Sequence, residues 1–298
     1  MKIVNKIITT LLSLCLMLLM MAICLLSSLP AFFSPSTYLS ALEEANAYKS
    51  IQESIQNSLD DIMLFNNIDR QAMREFMTVE EVKEVVVGDV YALLSWLNGT
   101  GKNVAPLDVS IYEARFDERI NTFFLENQYD LDDEAKQDVE LMKKNAMQVI
   151  QGNLRMLNYD QITSMDSLQK VTSLIGMMNI KLVVCGLAAI AIVIVGILTL
   201  ISPRSRRRNR RKKYELGLLW GAYGIVAGGL MIFIIFFSGV QSKFYNHIAI
   251  NVGYLRESLS ILIGNALQNI SIFGLVAALI GFILMIPYWA KLYKKCMA

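Results

Sequence analysis

Four long apolar stretches alternate with polar sequence along the chain, at about residues 7–29, 182–202, 216–239 and 269–290. Their interiors hold no Asp, Glu, Lys, Arg or His. A helix needs roughly 20 apolar residues to cross a bilayer, because each residue rises about 1.5 Å and the hydrocarbon layer is about 30 Å thick. The pattern therefore predicts four transmembrane helices, which we number spans one to four.

The sequence between spans one and two repeats apolar residues at three- and four-residue spacings, which is the period of amphipathic helices. No strand-turn-strand pattern is convincing there. We therefore predict an all-α domain. The apolar positions expected to face its core are Leu42, Tyr48, Ile51, Ile55, Leu59 and Ile62 in a first helix, Val82, Val86, Val90, Leu93 and Leu97 in a second, Tyr112, Phe116, Ile120 and Phe123 in a third, and Leu141, Val149, Leu154 and Leu157 in a fourth.

Local signals set several helix ends in this domain. Thr78 and Glu81 have the spacing of a capping box, in which each side chain binds a backbone N–H of the other residue. The run Asn-Gly-Thr-Gly at 98–101 favours termination, since Asn and Gly tolerate the left-handed conformation. The fourth helix is expected to begin near Asp132, and a final one from about Ser164 to run into span two.

The connection between spans three and four is also expected to be helical. Its apolar residues repeat at alternating four- and three-residue spacings, which is typical of a stripe that packs against another helix. It either docks on the first domain or lies along the membrane surface. The stripe consists of Ile248, Val252, Leu255, Leu259, Leu262 and Ala266.

Composition agrees with a membrane protein. Of the 298 residues, 54% are hydrophobic and 18% charged, whereas soluble domains carry about 25% charged residues. We predict an all-α, four-transmembrane-helix protein with a large helical extracytoplasmic domain between spans one and two. Residues 1–33 form the N-terminus and first span, 34–180 the domain, and 181–298 a three-helix membrane region with a basic loop at 203–215 and an outward loop at 240–268.

Span one is expected to be a retained anchor. Its apolar run is longer than the roughly 7 to 15 residues of a signal peptide, and no clean small-x-small cleavage site follows it. The alternative is a cleaved signal peptide.

Basic residues gather on one side of this topology, which the positive-inside rule assigns to the cytoplasm. Both termini are therefore expected in the cytoplasm of a multi-pass cell-membrane protein. Residues 34–180 then face outward, with 24 acidic and 12 basic side chains and a net charge of −12. The basic residues on the cytoplasmic side are Lys2, Lys6, Arg204, Arg206, Arg207, Arg208, Arg210, Arg211, Lys212, Lys213, Lys291, Lys294 and Lys295.

The cluster from Arg204 to Lys213 is expected to orient the molecule. It lies in a short loop between two spans, too tightly tethered to wrap a nucleic-acid duplex, so no nucleic-acid partner is predicted. Lys and Arg beside a membrane also attract anionic lipid, by about 1 kcal/mol each. Contact with the lipid bilayer is therefore a second expected role of this basic cluster.

Small residues are expected to pack the spans, because helices in lipid associate through close approach of their backbones. We predict a tight core of spans two, three and four, with span one peripheral. The packing residues are expected to be Gly217, Gly221, Gly224 and Gly228 on one face of span three, with Gly274, Ala278 and Gly281 on span four.

Motifs for chemistry are weak, and we predict no catalytic, cofactor-binding or metal-binding residue. His247 is the only histidine, and no nucleophile motif accompanies it. The acidic run from Asp130 fails the glycine and glutamate positions of an EF-hand loop, and acids at a helix start favour the helix dipole. No cysteine lies between spans one and two. The chain is not expected to be an enzyme.

Two resemblances bear on this layout. The stretch LPAFFSPSTYLSALEEANAYKSIQ, followed by WLNGTGKNVAPLDVSIYEARF, resembles bacterial integral membrane proteins with a helical extracytoplasmic domain and no assigned activity. The order of a large outward domain after span one and a small outward loop after span three is similar to the FtsX type of subunit. That type works with a cytoplasmic ATPase, and its outward domain is usually mixed α/β.

Two functions remain open. The first is a non-enzymatic assembly, scaffold or sensor subunit, whose outward helices bind a protein partner or a second copy of the chain. The second is a permease-like subunit of a transport complex with a separate ATPase. Ion-coupled transport usually places ionisable groups inside the membrane, and the predicted spans contain none. The first function is therefore favoured.

Overall fold

The computed structural model describes residues 2–32, 34–98, 107–129, 133–155, 179–201 and 210–296. These residues form α-helices and short 3₁₀ turns, and no strand occurs among them, so the all-α prediction is confirmed. The helices are α1 (Lys2–Phe32), α2 (Pro35–Glu44), α3 (Ala47–Phe65), α4 (Val79–Leu97), α5 (Ser110–Glu126), α6 (Asp133–Leu154), α7 (Ile180–Ile201), α8 (Arg210–Ser242) and α9 (Gly253–Cys296).

Four of these helices contain segments long and apolar enough to cross a membrane. The segments are Val4–Phe32, Ile180–Ile201, Leu216–Ser242 and Gly253–Ala290. The prediction of four membrane-spanning helices is confirmed at this level of length and composition.

The chain divides into two compact units. The helical domain comprises Pro35–Met177 and Ile250–Leu259. The membrane unit comprises Met1–Ser34, Met178–Ala249 and Ser260–Ala298.

The helical domain folds around the apolar face of α3. Successive buried residues of this helix are four positions apart, so they lie on one stripe. Helices α4, α5 and α6 contribute further buried side chains to the same core, including Val86, Phe116 and Ile150. The α3 residues of the stripe, each at most 1% exposed, are Ala47, Ile51, Ile55, Leu59 and Met63.

The start of α4 has the predicted capping box. The Thr78 hydroxyl accepts from the Glu81 N–H at 3.2 Å, and the Glu81 carboxylate accepts from the Thr78 N–H at 2.9 Å. Helix α4 ends at Leu97, with Asn98 as its cap, and the following residues 99–106 lie outside the described part. Leu94 is buried where Leu93 was expected to be.

The core face of α6 differs from the prediction. Leu141 is 58% exposed, while its neighbour Met142 is 3% exposed. The buried stripe continues through Ala146, Ile150 and Leu154. Methionine and alanine form most of the first half of this face, so a pattern based on leucine and valine places it one residue too early. Leu157 and the predicted helix from about 164 lie outside the described residues.

Helix α9 is longer than predicted. It begins at Gly253 and continues to Cys296, so the expected helical loop and span four form one helix. The predicted stripe of the loop contains no fully buried residue: Val252 and Leu259 are 40% and 37% exposed, and the other four residues are partly buried. Near the start of the helix, Tyr254 packs against the core of the helical domain.

Span one is not peripheral, which corrects the prediction for the membrane unit. In α1, Leu16 is fully buried in a cluster with Ala191, Leu198 and Ile225 of α7 and α8. Helix α1 has no small-residue ridge of its own. It packs closely because the glycines of α8 provide the space that its Leu and Met side chains fill.

Candidate functional site

A groove of about 900 Å³ opens on the helical domain between α5 and the chain that follows α3. Most of its wall is polar. The residues that line it are Asn67, Asp69, Gln71, Ala72, Arg115, Glu118, Arg119, Thr122, Phe123, Glu126, Asn127 and Tyr129. The α5 members recur at three- and four-residue spacings, so they lie on one face of that helix.

The first wall is the turn after α3. Helix α3 ends at Phe65, and Asn67 takes a left-handed conformation with φ of 56°, which asparagine tolerates better than most residues. The Asp69 carboxylate then accepts from the Gln71 N–H at 2.9 Å and starts the 3₁₀ turn Arg70–Met73. Ala72 and Met73 of this turn are buried, and this anchors the wall in the core.

Arg115, the first α5 residue of the wall, binds two other segments of the domain. Its guanidinium donates to both carboxylate oxygens of Glu81, at 2.6 and 3.1 Å, and to the Phe76 carbonyl at 2.7 Å. It also lies 5.7 Å from the centre of the Phe76 ring. The Arg115 hydrogen bonds, followed by those from Thr78, lower the pKa of Glu81. The pair therefore ties α5 to the start of α4 as a charged contact at neutral pH.

Arg119 fastens the same loop one turn further along α5. Its two terminal nitrogens donate to the carbonyls of Arg74 and Glu75. Glu75 has a left-handed φ of 53°, and its guanidinium-bound carbonyl helps to hold this conformation. Arg115 and Arg119 together fix the loop 74–76 to α5, and we call this pair the arginine clamp.

The far end of the groove carries three aromatic rings. Phe123 and Tyr129 are stacked, with centroids 6.3 Å apart, and Phe124 meets both rings edge-on at 6.1 and 6.0 Å. The Tyr129 N–H donates to the Phe124 carbonyl at 3.0 Å, which folds the chain back over the end of α5. Tyr129 is 60% exposed, so one side of this stack faces solvent.

Several side chains of the groove are free to bind another molecule. Within the described part of the chain, five of them form no side-chain hydrogen bond or ion pair with another residue. The wall thus combines carboxylates, amides and a phenol, and the loop 74–76 that follows it is held by the arginine clamp. The five residues are Asn67, Gln71, Glu118, Glu126 and Tyr129.

The predicted basic cluster lies mainly beyond the described residues. Arg204, Arg206, Arg207 and Arg208 fall in 202–209, outside that part. The cluster continues into the first turn of α8, where the structure describes the backbone of Arg210, Arg211, Lys212 and Lys213.

The glycines of span three meet two different helices. A Cβ on Gly217 would collide with the backbone of Thr199 in α7, and one on Gly221 would lie 3.2 Å from Val195 of the same helix. On Gly224 and Gly228 a Cβ would approach the carbonyls of Ser13 and Met17 in α1, at 2.8 and 2.6 Å.

Span four approaches span three at a glycine that the sequence pattern did not single out. A Cβ on Gly229 would lie 2.5 Å from the Ala278 nitrogen and 2.7 Å from the Gly274 oxygen. A Cβ on Gly281 would lie 2.6 Å from Val226. Gly274, Ala278 and Gly281 therefore lie against α8, on a face next to the predicted ridge.

His247 and the acidic run from Asp130 are not among the described residues that line the groove. Among the residues searched, no group of three His, Cys, Asp or Glu side chains is placed to hold a metal ion. His247 belongs to the 3₁₀ turn Phe244–His247 of the membrane unit. Of the acidic run from Asp130, residues 130–132 lie outside the described part.

Comparison of the chain with protein-family models, with curated proteins and with solved structures finds no match. The groove and its free polar side chains are therefore the features of the chain that bear on its function.

Proposed function

We propose that this chain is a non-enzymatic integral membrane protein, an assembly, scaffold or sensor subunit that recognises a partner through its helical domain. The domain faces away from the cytoplasm, and both termini lie inside. The groove beside α5 is the recognition surface. Its free polar side chains, beside a loop that the arginine clamp holds, are the observation that carries the proposal.

Preorganisation supports binding at this groove. A flexible loop loses conformational freedom when it becomes ordered on binding, and this loss reduces the affinity. Here the turn after α3 is anchored by buried Ala72 and Met73, and the loop 74–76 is held by Arg115 and Arg119. A partner therefore meets walls that are already ordered.

Charge supports the outward orientation. The segment 34–180 has a net charge of −12, and the basic cluster follows span two. Short loops rich in Lys and Arg stay in the cytoplasm. Those side chains also attract anionic lipid at the inner surface, and this contact is the proposed lipid interaction of the basic loop.

The experiment compares partner capture by three full-length proteins in mild detergent, quantified by mass spectrometry. The groove variant combines Tyr129→Ala and Glu126→Gln. The control is Tyr91→Ala, which removes a 51% exposed tyrosine of α4 outside the groove. We expect the native protein and the control to retain a stoichiometric partner, and the groove variant to lose most of it.

Equal retention by the groove variant and the control would contradict a recognition role for the groove. Recovery of a stoichiometric cytoplasmic ATPase with all three proteins would favour the transport subunit instead. A conducting oligomer of this chain alone would contradict the scaffold proposal.

A further inference from the structure

We propose that the groove beside α5 binds a neutral glycan, a chain of several sugar rings. This inference rests on the proposed function and names the chemical group, a glycan carried by the partner, that the recognition surface binds. It follows from the mixture of hydrogen-bonding groups on the wall, from the exposed aromatic stack and from the size of the groove.

The wall places opposite hydrogen-bonding characters side by side along α5. The Glu118 and Glu126 carboxylates only accept, whereas the Arg115 and Arg119 guanidinium groups only donate. Arg119 lies one residue after Glu118 and seven before Glu126, so the two kinds of group alternate over three helical turns. A ligand that fills the groove must supply donors and acceptors at short intervals.

Sugar hydroxyls meet this requirement. Each hydroxyl offers one donor and two acceptor lone pairs, and its hydrogen rotates to suit the neighbour. Neighbouring hydroxyls on one ring can therefore donate to Glu118 and accept from Arg119. The side-chain amides of Asn67 and Gln71, on the opposite wall, offer both a donor and an acceptor.

Charged peptides fit the wall less well. A lysine-rich segment would pair with Glu118 and Glu126 but would meet the positive charge of Arg119. A segment rich in acids would meet the carboxylates, including Asp69. A neutral, hydroxyl-rich ligand avoids both repulsions and can donate hydrogen bonds to the carboxylates of the wall.

The aromatic stack suits the apolar face of a sugar ring. An aromatic face carries partial negative charge and an edge partial positive charge. The C–H bonds on one face of a pyranose carry partial positive charge, so they pack favourably over a ring. Tyr129 is 60% exposed and is backed by Phe123 at 6.3 Å, which gives a flat platform whose position is fixed from behind.

The dimensions allow several sugar rings. Small-molecule sites are usually about 300–1,000 Å³ and predominantly apolar. The groove, at about 900 Å³, is near the upper end of that range. Its wall differs in being mostly polar, since among the described lining residues all but Ala72 and Phe123 have a hydrogen-bonding side chain.

The test measures binding of three labelled tetrasaccharides, chitotetraose, cellotetraose and maltotetraose, to the full-length protein in nanodiscs of neutral phosphatidylcholine. We expect saturable binding of at least one of them. Because the ligand is neutral, we expect binding to persist at about 0.5 M NaCl, where the electrostatic attraction of exposed charges is largely screened.

Matched variants locate the site. Tyr129→Ala is expected to weaken binding about twofold to tenfold, since an aromatic contact contributes about 0.5–1.5 kcal/mol and about 1.4 kcal/mol is tenfold. Glu118→Gln is expected to weaken it about threefold to tenfold through a weaker hydrogen bond. The controls are Tyr91→Ala in α4 and Glu113→Gln in α5, both exposed and outside the groove, and neither should change the affinity.

The outcomes separate this inference from the proposed function. If none of the three tetrasaccharides binds, or if the groove variants and the controls weaken binding equally, the glycan inference is overturned. If labelled hexalysine or hexaglutamate peptides bind the groove more tightly than any of the sugars, it is overturned as well. Loss of a captured partner in the groove variant would still support the proposed function in each of these cases.

Discussion

The described parts of the helical domain and of the membrane unit are both α-helical, yet the helices within each unit pack through different residues: large apolar residues in the domain and glycines in the membrane unit. The domain core consists of large residues such as Ile51, Leu59 and Phe116, all fully buried. The closest contacts of the membrane unit occur where side chains are missing, as between Gly229 and Gly274. The same secondary structure is therefore stabilised by bulk in one unit and by the absence of bulk in the other.

The difference follows from the surrounding solvent. Water favours burial of apolar surface by about 25 cal/mol per Å², so a helix in the domain gains from each large side chain it removes from water. Lipid tails are as apolar as leucine, and this gain vanishes in a bilayer. Span helices gain instead from close backbone contact, while Leu182 and Ile192 of α7 remain about 70% exposed.

The polar contacts of the two units differ as well. In the domain, Arg115 and Lys143 join separate helices through partly exposed ion pairs with Glu81 and Asp117. In the membrane unit, hydroxyls bind nearby carbonyls, as Ser13 binds the Trp220 carbonyl of α8 at 3.0 Å. A hydroxyl satisfied in this way avoids the cost of an unpaired polar group in an apolar medium.

The largest expected effect is the loss of bulk from the domain core. Phe116→Ala should destabilise the domain by about 3–5 kcal/mol, because it removes a fully buried ring and leaves a cavity. Leu125→Ala, on the same helix but 79% exposed, should change the stability by less than about 0.5 kcal/mol. The stability of both variants is measured by thermal unfolding in detergent, monitored through the protease resistance of the domain. Similar losses of stability in the two variants would contradict the assigned core.

The next effect is the gain of bulk between spans. Gly229→Ala would place a Cβ 2.5 Å from the Ala278 backbone nitrogen, so α8 and α9 must move apart. Overpacking of this kind costs about 1–3 kcal/mol. The control Gly186→Ala in α7 meets no atom within 4 Å and should not destabilise the unit. The stability of both variants is measured by unfolding in mixtures of a mild detergent and dodecyl sulfate. Equal changes of stability in the two variants would contradict the close contact between α8 and α9.

The smallest effect concerns the ion pair that links α4 to α5. Glu81→Gln should lower the free energy of unfolding by no more than about 1 kcal/mol at pH 7, because the pair is partly exposed. Arg115 lowers the pKa of Glu81 from its ordinary value of 4.5. The contribution is therefore fully present above pH 4.5 and is lost as the pH falls through the lowered pKa. A difference between native and variant proteins that grew on acidification would contradict this assignment.

The sequence was sufficient for most of the fold, because apolar residues recur at helical spacing on each predicted face. In α3 the expected positions Ile51, Ile55 and Leu59 are all buried. In α6, Leu141 and Met142 are adjacent and both are apolar, and only packing against α3 decides which of them is buried. The pattern alone could not choose between them.

The groove could not be predicted for a different reason. Its loop is held by guanidinium groups that bind backbone carbonyls more than 30 residues away, as Arg115 binds Phe76. Every residue type has a carbonyl, so such contacts leave no mark in the sequence. The partner of each span glycine is hidden in the same way, since Gly228 and Gly229 are adjacent but face α1 and α9 respectively.

A recognition role for the helical domain requires that this domain lies outside the cell. Labelling by a membrane-impermeant maleimide in intact cells tests this orientation directly. Thr100→Cys and Ser205→Cys are each introduced into a chain whose native cysteines are replaced. We predict that Thr100→Cys is labelled in intact cells and Ser205→Cys only after permeabilisation. Labelling of Ser205→Cys in intact cells, with Thr100→Cys protected, would contradict an outward recognition domain. The residues replaced in the background are Cys15, Cys24, Cys185 and Cys296.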